Sequence, residues 1–110
     1  MGELPQPMLR VDHERSAEAH VIRLRGEMDL GNVDEAREAL MHAIESDRTA
    51  VIVDLSELEF IDSVGIAMLL EAQAASRRDS NRLAFRRAIH AEIARTLQLT
   101  RVDEQLEFTD

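Results

Sequence analysis

A short polar segment in the middle of the chain, Asp62-Ser63-Val64-Gly65, carries its most specific chemical signal. The segment follows a strand that reads as buried and precedes a strongly apolar helix. A serine hydroxyl at the beginning of a helix, with a glycine two residues on, can hold an anion on or near the free backbone N–H groups. Ser63 is therefore a helix-capping serine, a site for an anionic group, or both. Asp62 likewise fits either a capping carboxylate or a functional one.

A second polar segment, Gly26-Glu27-Met28-Asp29, follows the strand predicted over residues 19–25. In open sheets, binding sites gather beyond the carboxyl ends of the parallel strands. If the strands before the two segments are neighbours, both segments lie at the same edge of the sheet. Gly26 is expected to end its strand. Asp29 by itself is an ordinary turn aspartate, and it gains interest only if it lies close to Ser63.

The hydrophobic pattern switches between strand and helix periodicity along the chain. The predicted strands cover residues 8–13, 19–25, 50–55, 82–86 and 106–108, and the predicted helices cover 33–46, 64–77 and 90–99. The order β-β-α-β-α-β-α-β predicts an α/β fold with a mixed, mostly parallel sheet of about five strands. Asn32 is expected to cap the first helix, with Glu35 as its capping-box partner.

The length and the charge of the chain limit its function. The 110 residues are enough for one domain, predicted over residues 8–110, after a flexible lead-in of residues 1–7. The net charge of −9, from 13 basic and 22 acidic residues, argues against nucleic acid and against an anionic membrane surface as partners. Aromatic residues make up only 3% of the chain, so stacking of bases on aromatic side chains is not expected.

Several kinds of chemistry are not expected. The chain has no cysteine, which excludes disulfides and thiolate catalysis. Its four histidines are scattered without ligand spacing, so we expect neither a metal ion nor a cofactor. No segment approaches the ~20 apolar residues that cross a bilayer, and a cytoplasmic location is expected. A hydrolase is not expected, because Ile61 stands where the G-x-S-x-G motif requires a glycine.

Three motifs along the chain resemble segments of one family. The run GEMD at residues 26–29 resembles the family's G-E-L-D. The runs DLS at 54–56 and FIDSVGI at 60–66 resemble D-L-S…F-I-D-S-S-G-L. The tail, RTLQLT at 95–100 followed by VDE at 102–104, is similar to R-x-L-E-L-T-G-L-D-E. In this order and spacing, the motifs make most of the chain resemble a STAS domain, in particular a bacterial anti-sigma factor antagonist.

The resemblance implies a partner switch. In the family, an anti-sigma factor that is itself a serine kinase phosphorylates the serine directly after the motif aspartate, which is Ser63 here. The unmodified protein is then expected to bind the anti-sigma factor and the phosphorylated form to release it. A PP2C-type phosphatase restores binding, and the chain is expected to be a monomer or a weak dimer. The partner-binding residues that the resemblance implies are Gly26, Glu27, Asp29, Asp62, Ser63, Val64 and Gly65.

The chain departs from the family pattern at three positions. Val64 replaces a second Ser or Thr, which leaves Ser63 as the single hydroxyl of the motif. Ala67 stands where a glycine is frequent. Arg101 replaces a glycine after the third helix, and this replacement costs ~1 kcal/mol of stability if the position requires a positive φ. None of these changes removes the expected switch.

A non-switching function is the alternative. STAS domains also act as interaction subunits, in stressosome-like scaffolds or as small partners of lipid-transport ATPases. The intact D-S-x-G motif favours the switch. A phosphate found on Ser63 in the native protein would distinguish the two.

Overall fold

The computed structural model describes residues 8–79 and 81–110, so the predicted lead-in of residues 1–7 lies outside the described residues. The strands are β1 (Leu9–Arg15), β2 (Ala19–Met28), β3 (Ala50–Asp54), β4 (Leu58–Ile61), β5 (Leu83–Arg86) and β6 (Phe108–Thr109). The helices are α1 (Val33–Ser46), α2 (Ser63–Asp79) and α3 (Ala91–Leu99), with a 3-10 turn at Val102–Glu104. Over these ranges, no helix is both long and apolar enough to cross a membrane.

The strands form one mixed sheet in the order β1-β2-β3-β5-β6. β1 and β2 form an antiparallel hairpin, and the other strand pairs are parallel. β3 pairs with the first half of β2, and β4 pairs with its last three residues. The predicted α/β architecture with a mixed, mostly parallel sheet is confirmed.

The sheet contains one strand more than the pattern indicated. β4 occupies part of the segment that was expected to be a loop before Ser63. Its two middle residues, Glu59 and Phe60, are both exposed, so the strand shows no alternation of apolar and polar positions. Pairing with β2 stabilises it instead.

One face of the sheet builds the core together with α1 and α2. Ile22, Val53 and Phe85 are cross-strand partners on this face, and each is 0% exposed. The two helices pack against each other and bury aliphatic stripes in the same cluster. The stripe predicted for α1 is the one observed, and its members are Val33, Ala36, Leu40, Ala43 and Ile44. Helical periodicity therefore located both the helix and its buried side.

The opposite face carries an ion-pair network centred on Asp54, which is 4% exposed. Its carboxylate accepts hydrogen bonds from Arg23 at 3.1 Å and Arg86 at 3.3 Å, from the two neighbouring strands. The backbone N–H of Ser56 donates to it at 2.9 Å. Burial acts to raise the pKa of Asp54, but the hydrogen bonds from Ser56 and Arg23 outweigh it and hold that pKa below its ordinary value.

Arg101 has a backbone conformation that glycine, the residue usual at this position in the family, adopts easily. Arg101 has a φ of 61° in the left-handed region, between α3 and the 3-10 turn. Its guanidinium forms an exposed pair with Glu104, at 2.7 Å from Nε to Oε2. The replacement of glycine at this point therefore introduces backbone strain.

Candidate partner-binding site

The two segments singled out from the sequence meet at one edge of the sheet. Met28 and Ile61 are parallel partners at the ends of β2 and β4, and the two segments leave the sheet side by side. The N–H of Asp62 donates to the carbonyl of Met28 at 3.2 Å. The N–H of Leu30 donates to the Asp62 carboxylate at 3.1 Å. The strand that brings them together is β4, which directly precedes Asp62.

Asp62 caps the second helix. One oxygen of its carboxylate accepts the N–H of Gly65 at 2.9 Å, and its carbonyl accepts the N–H of Ile66 at 3.0 Å. This is the hydrogen-bond arrangement of an N-cap residue. Of the two candidates that the sequence left open, Asp62 is thus the capping residue, and Ser63 is the first residue of α2.

Ser63 is exposed on the first turn of α2. Since Asp62 supplies the cap, no part of the helix start depends on the Ser63 hydroxyl. A group added to that oxygen lies at a helix N-terminus, where the dipole favours an anion by roughly 0.3–1 kcal/mol. The Ser63 side chain is therefore exposed, and its hydroxyl forms no hydrogen bond with any other residue that the structure describes.

The residues that follow Ser63 position the helix. A Cβ atom added to Gly65 would lie 2.7 Å from Cγ1 of Ile61 and 3.2 Å from the terminal methyl of Met28. Gly65 is therefore required for the close approach of α2 to the ends of β2 and β4. Val64 is half-buried and packs on the core. Neither presents a functional group to solvent.

Gly26 lies inside β2 and does not end the strand, so the predicted end at residue 25 was wrong. Its φ of 98° accompanies a shift of register between β2 and β4 at Gly26 and Glu27. A Cβ atom there would lie 2.4 Å from the carbonyl oxygen of Met8. The bulge lets Gly26 donate its N–H to Glu57, at 3.0 Å, and Glu27 donate its N–H to Met8, at 2.9 Å. The strand then continues to Met28.

A network of hydrogen bonds within the loop after β2 fixes the position of Asp29. Its N–H donates to Oδ1 of Asn32 at 2.9 Å, and its own carboxylate accepts the N–H of Gly31 at 2.9 Å. Nδ2 of Asn32 donates to the carbonyl of Glu27 at 2.9 Å. Asn32 stands at the N-cap position of α1, but its side chain makes no capping bond, so the predicted capping box with Glu35 was wrong. The side-chain amide of Asn32 instead uses its oxygen and its nitrogen within the loop, where it accepts from Asp29 and donates to Glu27.

Sequence reasoning missed one conspicuous residue at this edge. Leu30 is 73% exposed and lies directly beside Asp62 through its backbone hydrogen bond. A second apolar side chain, Phe60 on β4, is 49% exposed. In the sequence, the one feature that could have indicated it is a leucine in an otherwise polar turn between a predicted strand and a predicted helix. The surface beside Ser63 thus combines the exposed Leu30 with the carboxylate of Asp62, and Asp29 directly precedes Leu30 in the neighbouring loop.

The fold and the site geometry define a class of protein, a small mixed α/β domain with two neighbouring polar loops at the ends of parallel strands. The sequence profile described as "Mlab, STAS domain" matches residues 11–108. The chain therefore belongs to the STAS domain family, and the resemblance derived from the sequence is confirmed.

Solved structures with the same fold include anti-sigma factor antagonists and a chain of the MlaFEDB complex. An anti-sigma factor antagonist from Mycobacterium paratuberculosis matches with a TM-score of 0.80 and 21% identity, over 92% of this chain and 85% of that chain. The Bacillus cell fate determinant SpoIIAA in its phosphorylated form matches with a TM-score of 0.66 and 20% identity, over 94% and 92%. A chain of the Acinetobacter MlaFEDB complex in an ATP-bound conformation matches with a TM-score of 0.64 and 21% identity, over 81% and 93%.

Proposed function

We propose that this protein is an anti-sigma factor antagonist whose binding to its partner is switched by phosphorylation of Ser63. The partner is an anti-sigma factor with serine kinase activity, and a PP2C-type phosphatase reverses the modification. The protein itself acts in the cytoplasm by binding, without catalysis. The observation that carries the proposal is the exposed Ser63 hydroxyl on the first turn of α2, beside Asp62, which supplies the cap.

A phosphate on Ser63 is compatible with the fold. The group carries about −1.5 to −2 charges at neutral pH. The N-terminus of α2 favours that charge, whereas the Asp62 and Asp29 carboxylates repel it toward solvent. The charge then lies on the surface that a partner must cover, and desolvating it in an interface costs several kcal/mol. A loss of ~4 kcal/mol corresponds to about a thousandfold in affinity, which is sufficient for on/off control.

The seven residues implied by the resemblance divide into two groups under this proposal. Gly26 and Gly65 shape the backbone and are too closely packed to make broad contacts themselves. Val64 belongs to the core. The contacts to the partner then come from the remaining members, which are Glu27, Asp29, Asp62 and Ser63.

Leu30 adds an apolar contact to this surface. A leucine that is 73% exposed loses water when a partner covers it, and burial of such a side chain stabilises a complex by about 1.5–3 kcal/mol. The hydrogen bond from its N–H to Asp62 holds it next to Ser63. Leu30→Ala should therefore weaken partner binding by at least tenfold. Leu99→Ala is the matched control, because Leu99 is 75% exposed at the end of α3.

Phosphorylation by a purified partner tests the proposal. Each anti-sigma serine kinase encoded in the source genome is incubated with the chain and Mg-ATP, and intact mass and peptide mapping locate any phosphate. We expect one phosphate, on Ser63, and none on the Ser63→Ala variant. Ser46→Ala is the control, since Ser46 is an exposed serine in the last turn of α1. Modification that persists in Ser63→Ala would contradict the assignment.

A second candidate function has an observation in its favour. The matching profile is described as "Mlab, STAS domain", and one neighbour is a chain of the MlaFEDB complex. These support a non-switching interaction subunit that acts as a partner of a lipid-transport ATPase. Co-expression with the candidate ATPase subunits distinguishes the two functions. A stable complex that survives Ser63→Asp favours the subunit, and loss of an anti-sigma factor on Ser63→Asp favours the switch.

A further inference from the structure

Three polar side chains form a row at the opposite end of β2 from Ser63. Nδ1 of His13 lies 2.8 Å from Nε2 of His20, and Nδ1 of His20 is hydrogen-bonded to the carboxylate of Asp47. His20 is 2% exposed, whereas His13 on the edge strand β1 is exposed. The row therefore runs from solvent through a buried imidazole to a carboxylate.

The row joins separate parts of the fold. His13 and His20 lie on the two strands of the hairpin, and Asp47 is the C-cap residue of α1. The carbonyl of Asp47 also accepts a hydrogen bond from Arg82, whose Nε donates to the carbonyl of Thr49 at 3.2 Å. The position of Asp47 is thus fixed by the end of α1 and by Arg82, and the two histidines attach the hairpin to it.

Proton positions follow from the hydrogen-bond partners. Nδ1 of His20 faces a carboxylate and therefore carries a proton, so Nε2 of the neutral ring accepts from Nδ1–H of His13. One added proton is tolerated, because a cationic His20 donates from both nitrogens, to Asp47 and to His13. A second proton places two N–H groups face to face at 2.8 Å on adjacent cations and breaks the contact.

Charged groups around the rings favour ionised Asp47 and oppose the second proton. Nη1 of Arg15 on β1 lies 3.5 Å from Oδ1 of Asp47. Burial acts to raise the pKa of Asp47, but hydrogen bonds and charge from His20 and Arg15 hold it below its ordinary value. Burial, together with the positive charges of His20 and Arg15, lowers the pKa of His13. Asp12 and Asp47 act on His13 in the opposite direction and only partly offset this.

We propose that His13, His20 and Asp47 form a proton-linked latch that holds the β1–β2 hairpin against the end of α1 at neutral pH and opens in mild acid. The sign follows from linkage between protonation and folding. The folded state binds the second proton less readily than the unfolded chain, whose histidine has a pKa of about 6.5. The stabilisation is therefore complete above that value and is lost as the pH falls through the lower pKa of folded His13.

Nitrogen NMR of the protein with labelled histidines tests the latch in the unaltered chain. Between about pH 7.5 and about pH 5, we expect the ring nitrogens to show Nδ1–H on both His13 and His20 at the neutral end. His13 should then take up its proton below the ordinary histidine range. Hydrogen exchange at the Arg15 and His20 amides should accelerate at the acid end. Two rings that titrate independently at ordinary values would overturn the proposal.

Thermal unfolding of variants supplies a second measurement. The unfolding midpoint of the wild type should fall over that pH range by about 5 °C more than that of His13→Gln, which lacks the second titrating ring. His42→Gln is the control, because His42 is exposed on α1 outside the row, and it should follow the wild type. Equal pH dependence of His13→Gln and the wild type would contradict the latch. If His13→Gln does not fold, the NMR titration of the wild type decides.

Discussion

Asp54 and Asp62 occupy contrasting parts of the molecule, although both oxygens of each carboxylate accept hydrogen bonds. Asp54 lies on the face of the sheet opposite the α1 and α2 side, 4% exposed, between the guanidinium groups of Arg23 and Arg86. Asp62 lies at the end of β4, and its oxygens accept from the backbone N–H groups of Leu30 and Gly65. Cationic side chains neutralise the first charge, whereas the donors to the second carry no formal charge.

Under the proposed function, this contrast separates charge that stabilises the fold from charge that contacts a partner. Around Asp54, charge of both signs is paired within the fold, and a partner would gain little from contacting it. Next to Ser63, the Asp62 carboxylate accepts the backbone N–H of the exposed Leu30, which follows Asp29 in the chain. An added phosphate would therefore add negative charge to a surface where no cationic side chain is paired with the Asp62 carboxylate within the described residues. The two regions should respond differently to substitution, one mainly in stability and the other mainly in binding.

The largest effect on stability is expected from Asp54→Ala. The variant removes hydrogen bonds from two arginines and one backbone N–H, and leaves both guanidinium groups without their shared partner. We expect the free energy of unfolding to fall by about 3 kcal/mol, measured by chemical denaturation. Asp34→Ala is the control, because the side chain of Asp34 is 81% exposed, and it should change stability by less than about 0.5 kcal/mol. Similar losses of unfolding free energy in Asp54→Ala and Asp34→Ala would contradict the stabilising role given to Asp54.

Acid should erase the contribution of Asp54. Its pKa is lowered in the folded state, so its stabilisation is present above the unfolded value and is lost as the pH falls through the folded one. The difference in unfolding free energy between the wild type and Asp54→Ala should therefore shrink progressively below about pH 4. Denaturation curves for both proteins at a series of acidic pH values check this. A difference that stays constant would show that the ion pairs contribute nothing.

A smaller loss is expected from Asp62→Ala. Removal of an N-cap carboxylate costs about 1 kcal/mol of stability. It also releases the N–H of Leu30, whose hydrogen exchange should become faster. Asp62→Asn keeps an acceptor at the cap and should recover most of the stability. A loss as large as that of Asp54→Ala would place Asp62 among the structural carboxylates.

The smallest effect, a gain, is expected at Arg101. Its exposed pair with Glu104 should contribute less than the strain of its positive φ, in contrast to the buried pairs of Asp54. Arg101→Gly should raise the free energy of unfolding by about 0.5 kcal/mol. Chemical denaturation measures this, with Arg95→Gly inside α3 as a control that should destabilise. A loss in Arg101→Gly would mean that the ion pair outweighs the strain.

The regular helices and strands could be predicted because the spacing of their apolar residues follows which positions are buried. α1 runs over Val33–Ser46, as its apolar stripe indicated, and β5 falls within the predicted strand. β4 could not be predicted from hydrophobic periodicity, because its apolar and polar residues do not alternate. It forms a strand because it pairs with β2, and that pairing is not visible in the sequence. β2 continues beyond Gly26 only through a bulge, and the bulge needs a glycine because the carbonyl oxygen of Met8, the residue before β1, lies too close for a Cβ atom.

The residues of the candidate site could be predicted from the sequence, but the structural role of each residue could not. The motif located Asp62 and Ser63, whereas only the hydrogen bond to Gly65 identifies Asp62 as the cap. Asn32 is a residue type that often caps helices, yet its side chain forms hydrogen bonds with Glu27 and Asp29 in the preceding loop instead. His13 and His20 are distant from any motif, and their pairing follows from the register of the hairpin.

The most direct measurement compares the affinity of the anti-sigma factor kinase for two forms of the chain. Calorimetric titration would use the unmodified protein and the protein phosphorylated on Ser63, with Ser63→Ala as the unphosphorylatable reference. The account predicts that the unmodified protein and Ser63→Ala bind alike, and that phosphorylation weakens binding by about a thousandfold. Equal affinity of the phosphorylated and unmodified forms would contradict it.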